Sequence, residues 1–280
     1  MPVFATPNPI DVVLDVAAGN IRVIASDRDD TVVEVRPSRP GRAADVKTAE
    51  KAEIEYFDGR LRVRTAKVRL GWIGPSDSVD VTIELPLGSS VQGAVAAGNL
   101  RTEGRLGACR MKSGAGDLTV DAAGPVQLRT GAGSIVVGTA TGDAELHAAT
   151  GSVRLGDVYG DAAVTSSYGD TTIGEVSGLL TVKGAYGSIW VDRAGSSASI
   201  KTAHGGVRIA EVTAGEVDLE SSFGGLEVGI AQGTAAWIDV STEHGTVTNT
   251  LSVGDGPAES ERTVQVRAHS SWGDIVIRRA

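Results

Sequence analysis

Ser166-Ser167-Tyr168-Gly169, Gly184-Ala185-Tyr186-Gly187 and Thr202-Ala203-His204-Gly205 follow one another at intervals of eighteen residues. Each phrase holds two small residues, a large one and a glycine. Each leads into a short run: Thr171-Thr172-Ile173, Ile189-Trp190-Val191 and Val207-Arg208-Ile209. Followed outward in both directions, the marker glycine recurs at Gly98, Gly116, Gly133, Gly151, Gly169, Gly187, Gly205, Gly224, Gly245 and Gly273. The interval stays at 17 to 19 residues until it widens to 21 and then 28 at the end. Apolar residues stand two places beyond most markers, as at Leu118, Ile135, Val153 and Val207, and four places beyond, as at Val120, Val137, Leu155 and Ile209. Thr171 and Asn249 are among the polar exceptions in these columns, and a second alternating run, such as Val126/Leu128 or Val217/Leu219, closes each unit.

A period of two belongs to strands, since an amphipathic helix would repeat its apolar residues at three and four. One unit of two short strands cannot bury its apolar side. Stacked units can, with like strands pairing in parallel at ~4.8 Å per coil. The pattern therefore predicts an all-β protein, a single-stranded parallel β-solenoid of about eighteen-residue coils, right-handed by the general crossover preference. A propeller is excluded, because a blade needs about forty residues.

Residues 1–90 read as an irregular β region and cap, continuous with solenoid repeats over 91–280. Expected strands cover Ile10–Val16, Ile21–Ile24, Thr31–Arg36 and Val79–Leu85, with a helical turn near Val46–Ala52. A hairpin turns at Asp58-Gly59 between Glu53–Tyr56 and Leu61–Arg64. Trp72 is expected to plug the first core layer. A flexible acidic loop is inserted at 249–263. The coil around Ser271–Ile277 is expected to end the solenoid, with Arg278 and Arg279 discouraging strand addition and Trp272 covering the last layer.

The bulk composition narrows the function. Of 280 residues, 41% are hydrophobic but only 4% aromatic, which suits thin repeated layers, and the 37 glycines supply corners. A net charge of -9 argues against capture of nucleic acid or of an anionic membrane, both of which need a basic face. The lone Cys109 permits no internal disulfide and reads as a small core residue. Residues 1–10 carry no Lys or Arg, so they do not resemble a secretory signal, and no run approaches the ~20 apolar residues of a spanning helix. A soluble, cytoplasmic protein is the expectation.

The residue before each marker forms a column: Ala97, Ala115, Ala132 and Thr150, then Tyr168, Tyr186, His204, Phe223, His244 and Trp272. In a solenoid these side chains stack. The rings then serve as a stabilising ladder, as a stripe for a protein partner, peptide or sugar, or as both. In chain order His204 and His244 lie two coils apart, on the order of 10 Å, too far to share a metal ion. The recurring Gly-Asp pairs (Gly116-Asp117, Gly169-Asp170, Gly273-Asp274) fit turn chemistry better than a calcium roll, since Ser, Gly or Thr separates the acids along the column. A carbohydrate-binding or carbohydrate-cleaving β-helix using Asp157, Asp161 and Asp170 is the alternative. No nucleophile-elbow or phosphate-loop motif is present, and no catalytic residue, cofactor or metal is expected.

The lead-in Ile83-Glu84-Leu85-Pro86-Leu87-Gly88 and units such as Ser113-Gly114-Ala115-Gly116-Asp117-Leu118-Thr119-Val120 resemble the bacterial toastrack family of candidate adhesins. The opening, Val13-Leu14-Asp15-Val16-Ala17-Ala18-Gly19-Asn20-Ile21-Arg22-Val23, is similar to its stand-alone actinobacterial members. The resemblance spans nearly the whole chain. It implies a β-helix without catalysis, acting as an assembly or sensing platform and linked in some members to cell-envelope stress systems. It supplies no functional residues to carry over. The expected partners are a protein or a second copy of the chain. The absence of a membrane segment or signal in this sequence points away from an extracellular adhesin role.

Overall fold

The computed structural model describes residues 1–65, 77–251 and 262–280. The expectation for Trp72 and most of the loop at 249–263 lie outside them. The chain divides into two compact units, Met1–Thr139 and Ala140–Ala280.

The first unit opens with β1 (Val3–Ala5), β2 (Asp11–Ala18), β3 (Ile21–Ser26) and β4 (Asp30–Pro37). The helix α1 (Ala43–Glu50) follows, then β5 (Glu53–Phe57), β6 (Arg60–Arg64) and β7 (Val79–Pro86). The regular part comprises β8 (Ser90–Ala97), β9 (Leu100–Arg105), β10 (Cys109–Ala115), β11 (Leu118–Ala123), β12 (Val126–Ala132) and β13 (Ile135–Ala140). One sheet runs β1-β4-β7-β3-β9-β11-β13 and the other β5-β6-β2-β8-β10-β12. The pairings of β2 with β6 and β8, and of β3 with β7 and β9, are parallel. Residues 11–26 therefore form a full coil, with Ala17-Ala18-Gly19 as its corner. The coil of β6 and β7 lies outside it although it comes later in the chain. At the edge strands of this unit β1 and β4 pair antiparallel, and so do β5 and β6 around the Asp58-Gly59 turn.

α1 packs on β4 and β7 and carries Asp45, whose side chain is fully buried. Burial alone would push this carboxyl up. A 2.8 Å hydrogen bond from Arg39 Nε, the Ser78 N–H at 3.2 Å and the nearby Arg42 outweigh it and hold the carboxyl below its ordinary value.

The second unit begins with β14 (Ala144–Thr150), β15 (Val153–Val158), β16 (Ala162–Tyr168), β17 (Thr171–Val176), β18 (Leu180–Tyr186) and β19 (Ile189–Ala194). It continues with β20 (Ala198–His204), β21 (Val207–Val212), β22 (Gly215–Phe223) and β23 (Leu226–Ile230). β24 (Thr234–His244), β25 (Val247–Asn249), β26 (Arg262–Trp272) and β27 (Ile275–Arg279) complete it. Here the sheets run β14-β16-β18-β20-β22-β26-β24 and β15-β17-β19-β21-β23-β27-β25. The stacking is parallel, as the repeat predicts.

The expected end of the stack is corrected. β26 and β27 slot between the coil of β22 and β23 and the coil of β24 and β25. Trp272 therefore covers no terminal layer. Arg279 Nη1 donates to the carbonyls of Ala231 and Thr234, both at 2.9 Å, and Arg278 Nε donates to Glu227 at 2.7 Å. These arginines pin an interior coil rather than guard an edge. The reason is chain length: the stretch between β25 and β26 lets the last coil reach back past its predecessor.

Inside the coils, that of β24 and β25 excepted, the alternate apolar residues are buried, among them Leu128, Leu146, Ile200 and Leu219. Cys109 is one of them, and burial pushes its thiol up to about 12, which makes it inert as a nucleophile. The first small residue of the repeated phrase also points inward and spends its hydroxyl on a corner carbonyl. Thr130 donates to Gly116 at 3.1 Å, Ser221 to Gly205 at 3.3 Å and Ser270 to Gly224 at 3.0 Å. Thr202 occupies the same place, yet its buried Oγ1 has no partner among the described residues. A buried hydroxyl without a partner costs stability, whereas a satisfied one contributes about 1 kcal/mol. Thr202→Val is therefore expected to keep or raise stability by up to ~1 kcal/mol, while Ser221→Ala loses about that much. Urea unfolding of the two variants decides this, and equal losses in both would refute it.

Candidate interaction site

The ring column lies wholly in the second unit. Parallel registry sets Tyr168 beside Tyr186, Tyr186 beside His204, His204 beside Phe223, Phe223 beside Trp272 and Trp272 beside His244. All six expected residues are brought together. The structure changes only their order, since Trp272 stands between Phe223 and His244. Three coil steps, ~14 Å, thus separate His204 from His244, which weakens a shared metal further.

The first four rings form a ladder. Their centroids are 4.9, 4.7 and 4.9 Å apart, with interplanar angles of 2°, 3° and 3°. His244 and Trp272 stack at 3.9 Å and 26°. Each pair of this kind is worth ~0.5–1.5 kcal/mol beyond area burial. Yet the column stays open to solvent: Tyr168, Tyr186, Phe223 and Trp272 are about half exposed, His204 is half-buried and His244 exposed.

Geometry decides what such a column can bind. Carbon atoms in contact sit ~3.5–4.0 Å apart, so a sugar or base slipped between two rings needs about 7 Å, well beyond the ladder spacing. Inside the ladder the ring faces are therefore taken, and the accessible part is a strip of ring edges about 24 Å long over five coil steps. Edges carry Tyr hydroxyls, His nitrogens and Phe and Trp C–H groups, which suits a protein surface better than the face-stacking a saccharide needs.

Beside this strip runs a shallow groove of about 380 Å³ lined by Trp190, Arg208, Glu227, Val276 and Asp274, with Gly206 and Gly225 in its floor. The glycines come two residues after His204 and Phe223, where other coils carry Asn, Asp, Ser or Thr, so the corner is notched. Trp190 is 59% exposed. Arg208 Nε lies 3.5 Å from Glu227, which also takes Arg278.

The acidic candidates are not assembled. Asp161 Oδ1 accepts from the Leu179 N–H at 2.8 Å, and Asp170 Oδ1 from the Ser188 N–H at 2.9 Å. These two stand at opposite corners of the coil, one before β16 and one before β17, and Asp157 is an exposed residue of β15. The same bond links Asp117 to Ser134, Asp143 to Asp161 and Asp274 to Thr246. The Gly-Asp pairs thus tie each corner to the equivalent backbone of the neighbouring coil, and the bond holds the Asp274 carboxyl below its usual range. Among the described residues no group of His, Cys, Asp or Glu is arranged to hold a metal ion.

One cluster escaped the sequence. Ser241 Oγ lies 3.1 Å from His269 Nδ1, and His269 Nε2 lies 4.0 Å from Glu243. β24–β26 pairing brings them together across twenty-eight residues, so no spacing announces them. All three are exposed on a sheet face rather than set in a cleft, and nothing there would position an acyl group or its oxyanion.

The family model described as Toastrack DUF4097 matches residues 11–279. The chain belongs to this family. Solved structures similar to the Toastrack chain include a candidate adhesin from Parabacteroides distasonis ATCC 8503, 14% identical, covering 98% of this chain and 95% of that one at a TM-score of 0.41. Another, from Parabacteroides merdae ATCC 43184, is 10% identical and covers 99% and 94% of the two chains at 0.43. A candidate cell adhesion protein from Clostridium sporogenes ATCC 15579 is 12% identical, covering 100% and 98% at 0.26. No curated protein matches the Toastrack chain. Among its described residues no helix is long and apolar enough to cross a membrane.

Proposed function

We propose that this Toastrack protein is a non-catalytic interaction scaffold whose second unit presents the ring edges and the adjoining groove to a protein partner. The observation that carries the reading is the registered column Tyr168-Tyr186-His204-Phe223-Trp272-His244, stacked over its first four rings and again between its last two, yet open to water along its length. Interfaces favour aromatic residues that are already ordered, because little side-chain entropy is then lost on binding. Trp190 beside the groove adds a further ring, and the Arg208–Glu227 pair supplies a polar rim.

Tyr186 and Phe223 flank His204 near the middle of the column and are expected to be the anchors. Replacing either with Ala is expected to weaken partner binding by about 30-fold or more, as for an interface hot spot. Folding stability is expected to fall by only about 1–3 kcal/mol at Tyr186, which loses two ring contacts, and about 0.5–1.5 kcal/mol at Phe223, which loses its stack on His204. Cross-linking to identify the partner, followed by calorimetric titration of folded variants, tests the reading. Unchanged affinity in both variants, or a glycan array that lights up through the rings, would sink it.

A further inference from the structure

We infer that the coil of β24 and β25 is a homotypic docking end, where a second copy of the chain adds its own β24 antiparallel about a two-fold axis. The inference goes beyond the ring-column reading and uses a different surface.

The two units end differently. In the first, the edge strands β1 and β5 are short, with three and five residues, both pair antiparallel, and α1 packs on the neighbouring β4 and β7. The second has no such blunting at β24. β24 is eleven residues long, reads Thr234-Ala235-Ala236-Trp237-Ile238-Asp239-Val240-Ser241-Thr242-Glu243-His244, and pairs on one side only among the described residues. It has no Lys, Arg or Pro, the residues that commonly protect an edge. The core is open there as well. Val266 and Ala268 of β26 are 0% and 3% exposed, while their neighbours Ile238 and Val240 are only half-buried. Val247 of β25 is 46% exposed and Trp237 of β24 is 78% exposed.

The backbone shows which groups await a partner. The His244 carbonyl accepts from the Gly273 N–H on the β26 side. Alternation along a strand then aims the N–H and C=O of residues 243, 241, 239 and 237 away from β26. A two-fold centred on Val240 pairs 236–244 with itself. Asp239 then meets Ser241 of the second copy, Trp237 meets Glu243, Ile238 meets Thr242, and Val240 meets Val240. The outward-aimed residues become the hydrogen-bonded pairs, as an antiparallel ladder requires, and no two carboxylates face each other. Within the chain Asp239 already lies opposite Arg267.

The area suffices too. The nine paired residues span ~30 Å, and two sheets ~10 Å apart with their side-chain layers are ~20 Å across, so the end offers roughly 600 Å² per partner, against the ~800 Å² of a standard interface. An identical edge satisfies the outward groups of residues 237–243 by symmetry, which an unrelated surface would not.

The test is sedimentation of the full chain over a wide concentration range, beside Ser241→Pro and Val240→Lys. Ser241→Pro removes an N–H that points away from β26, so the coil itself keeps its bonds. Val240→Lys sets two like charges on the axis and guards against Ser241→Pro failing to fold. A reversible dimer is expected, weakened at least about 100-fold by either folded variant, since each substitution enters the interface twice. Tyr168→Ser and Tyr186→Ser should leave the dimer intact, so loss of partner binding and loss of dimerisation are read separately. A chain that stays monomeric throughout, a dimer indifferent to both edge variants, or assemblies that grow without limit would each overturn the inference.

Discussion

Gly205→Ala is expected to destabilise the second unit by about 4 kcal/mol or more, while Gly206→Ala, one residue on, changes stability by less than about 0.5 kcal/mol. Gly205 has φ +140°, a region that disfavours any side chain, and a Cβ there would lie 2.1 Å from the Gly187 carbonyl oxygen and 2.7 Å from its carbon. Both obstacles are backbone, and that backbone is tied in turn, because the Gly187 N–H donates to the His204 carbonyl. The corner cannot relax without breaking its neighbours, so the strain adds to the clash. At Gly206 the nearest atom to a Cβ is the Gly225 oxygen at 3.4 Å, an ordinary contact, and the backbone is unremarkable. The smaller entropy of an unfolded Ala offsets any residual crowding. Urea denaturation of the two variants measures the difference directly. Equal stability in both would mean that the corners are not the tight stack described.

Leu128→Ala in the first unit is expected to cost about 2–5 kcal/mol. Its side chain is 0% exposed and lies in register with Met111, itself 1% exposed. In a stack of coils the layers are fixed by the backbone ladder, so neighbours cannot close in on the void along the axis, and the loss should fall in the upper half of that range. Arg110→Ala, on the exposed face beside Met111, is the control and is expected to lie within ~0.5 kcal/mol of the parent. A loss at Leu128 no larger than the control would show that the core is loosely filled.

The coil period, the inward columns and the membership of the ring column were all legible in the sequence, because each depends on spacing along a few residues. Val207, Ile209 and His204 can be placed from the Gly205 marker alone. Stack order was not legible, since it depends on which coil edges meet, and a long connection erases that information. Hence Trp272 was expected beyond His244 and lies before it, and Ser241, His269 and Glu243 came together unannounced. The N-terminal corner at Gly19 carries the same phrase as the later markers but was hidden by the irregular strands around it. Nothing in the phrase announces the role of its first small residue, since the corner carbonyls that Thr130, Ser221 and Ser270 satisfy belong to the neighbouring coils. The Asp ladder was anticipated as turn chemistry, though its reach to the next coil's backbone was not.

The swapped order of the last two coils also sets a timetable for synthesis. Residues 234–249 leave the ribosome with no neighbour to lie against, for the strands that flank them in the stack are made afterwards. Until 262–279 emerge, β22 and β23 expose their outer edge and 234–249 remain an unpaired length of chain. The late arrival of β26 and β27 closes both gaps in one step. The second unit thus gains its last two layers together, and a ribosome stalled between residues 249 and 262 would leave a nascent chain that is open to aggregation.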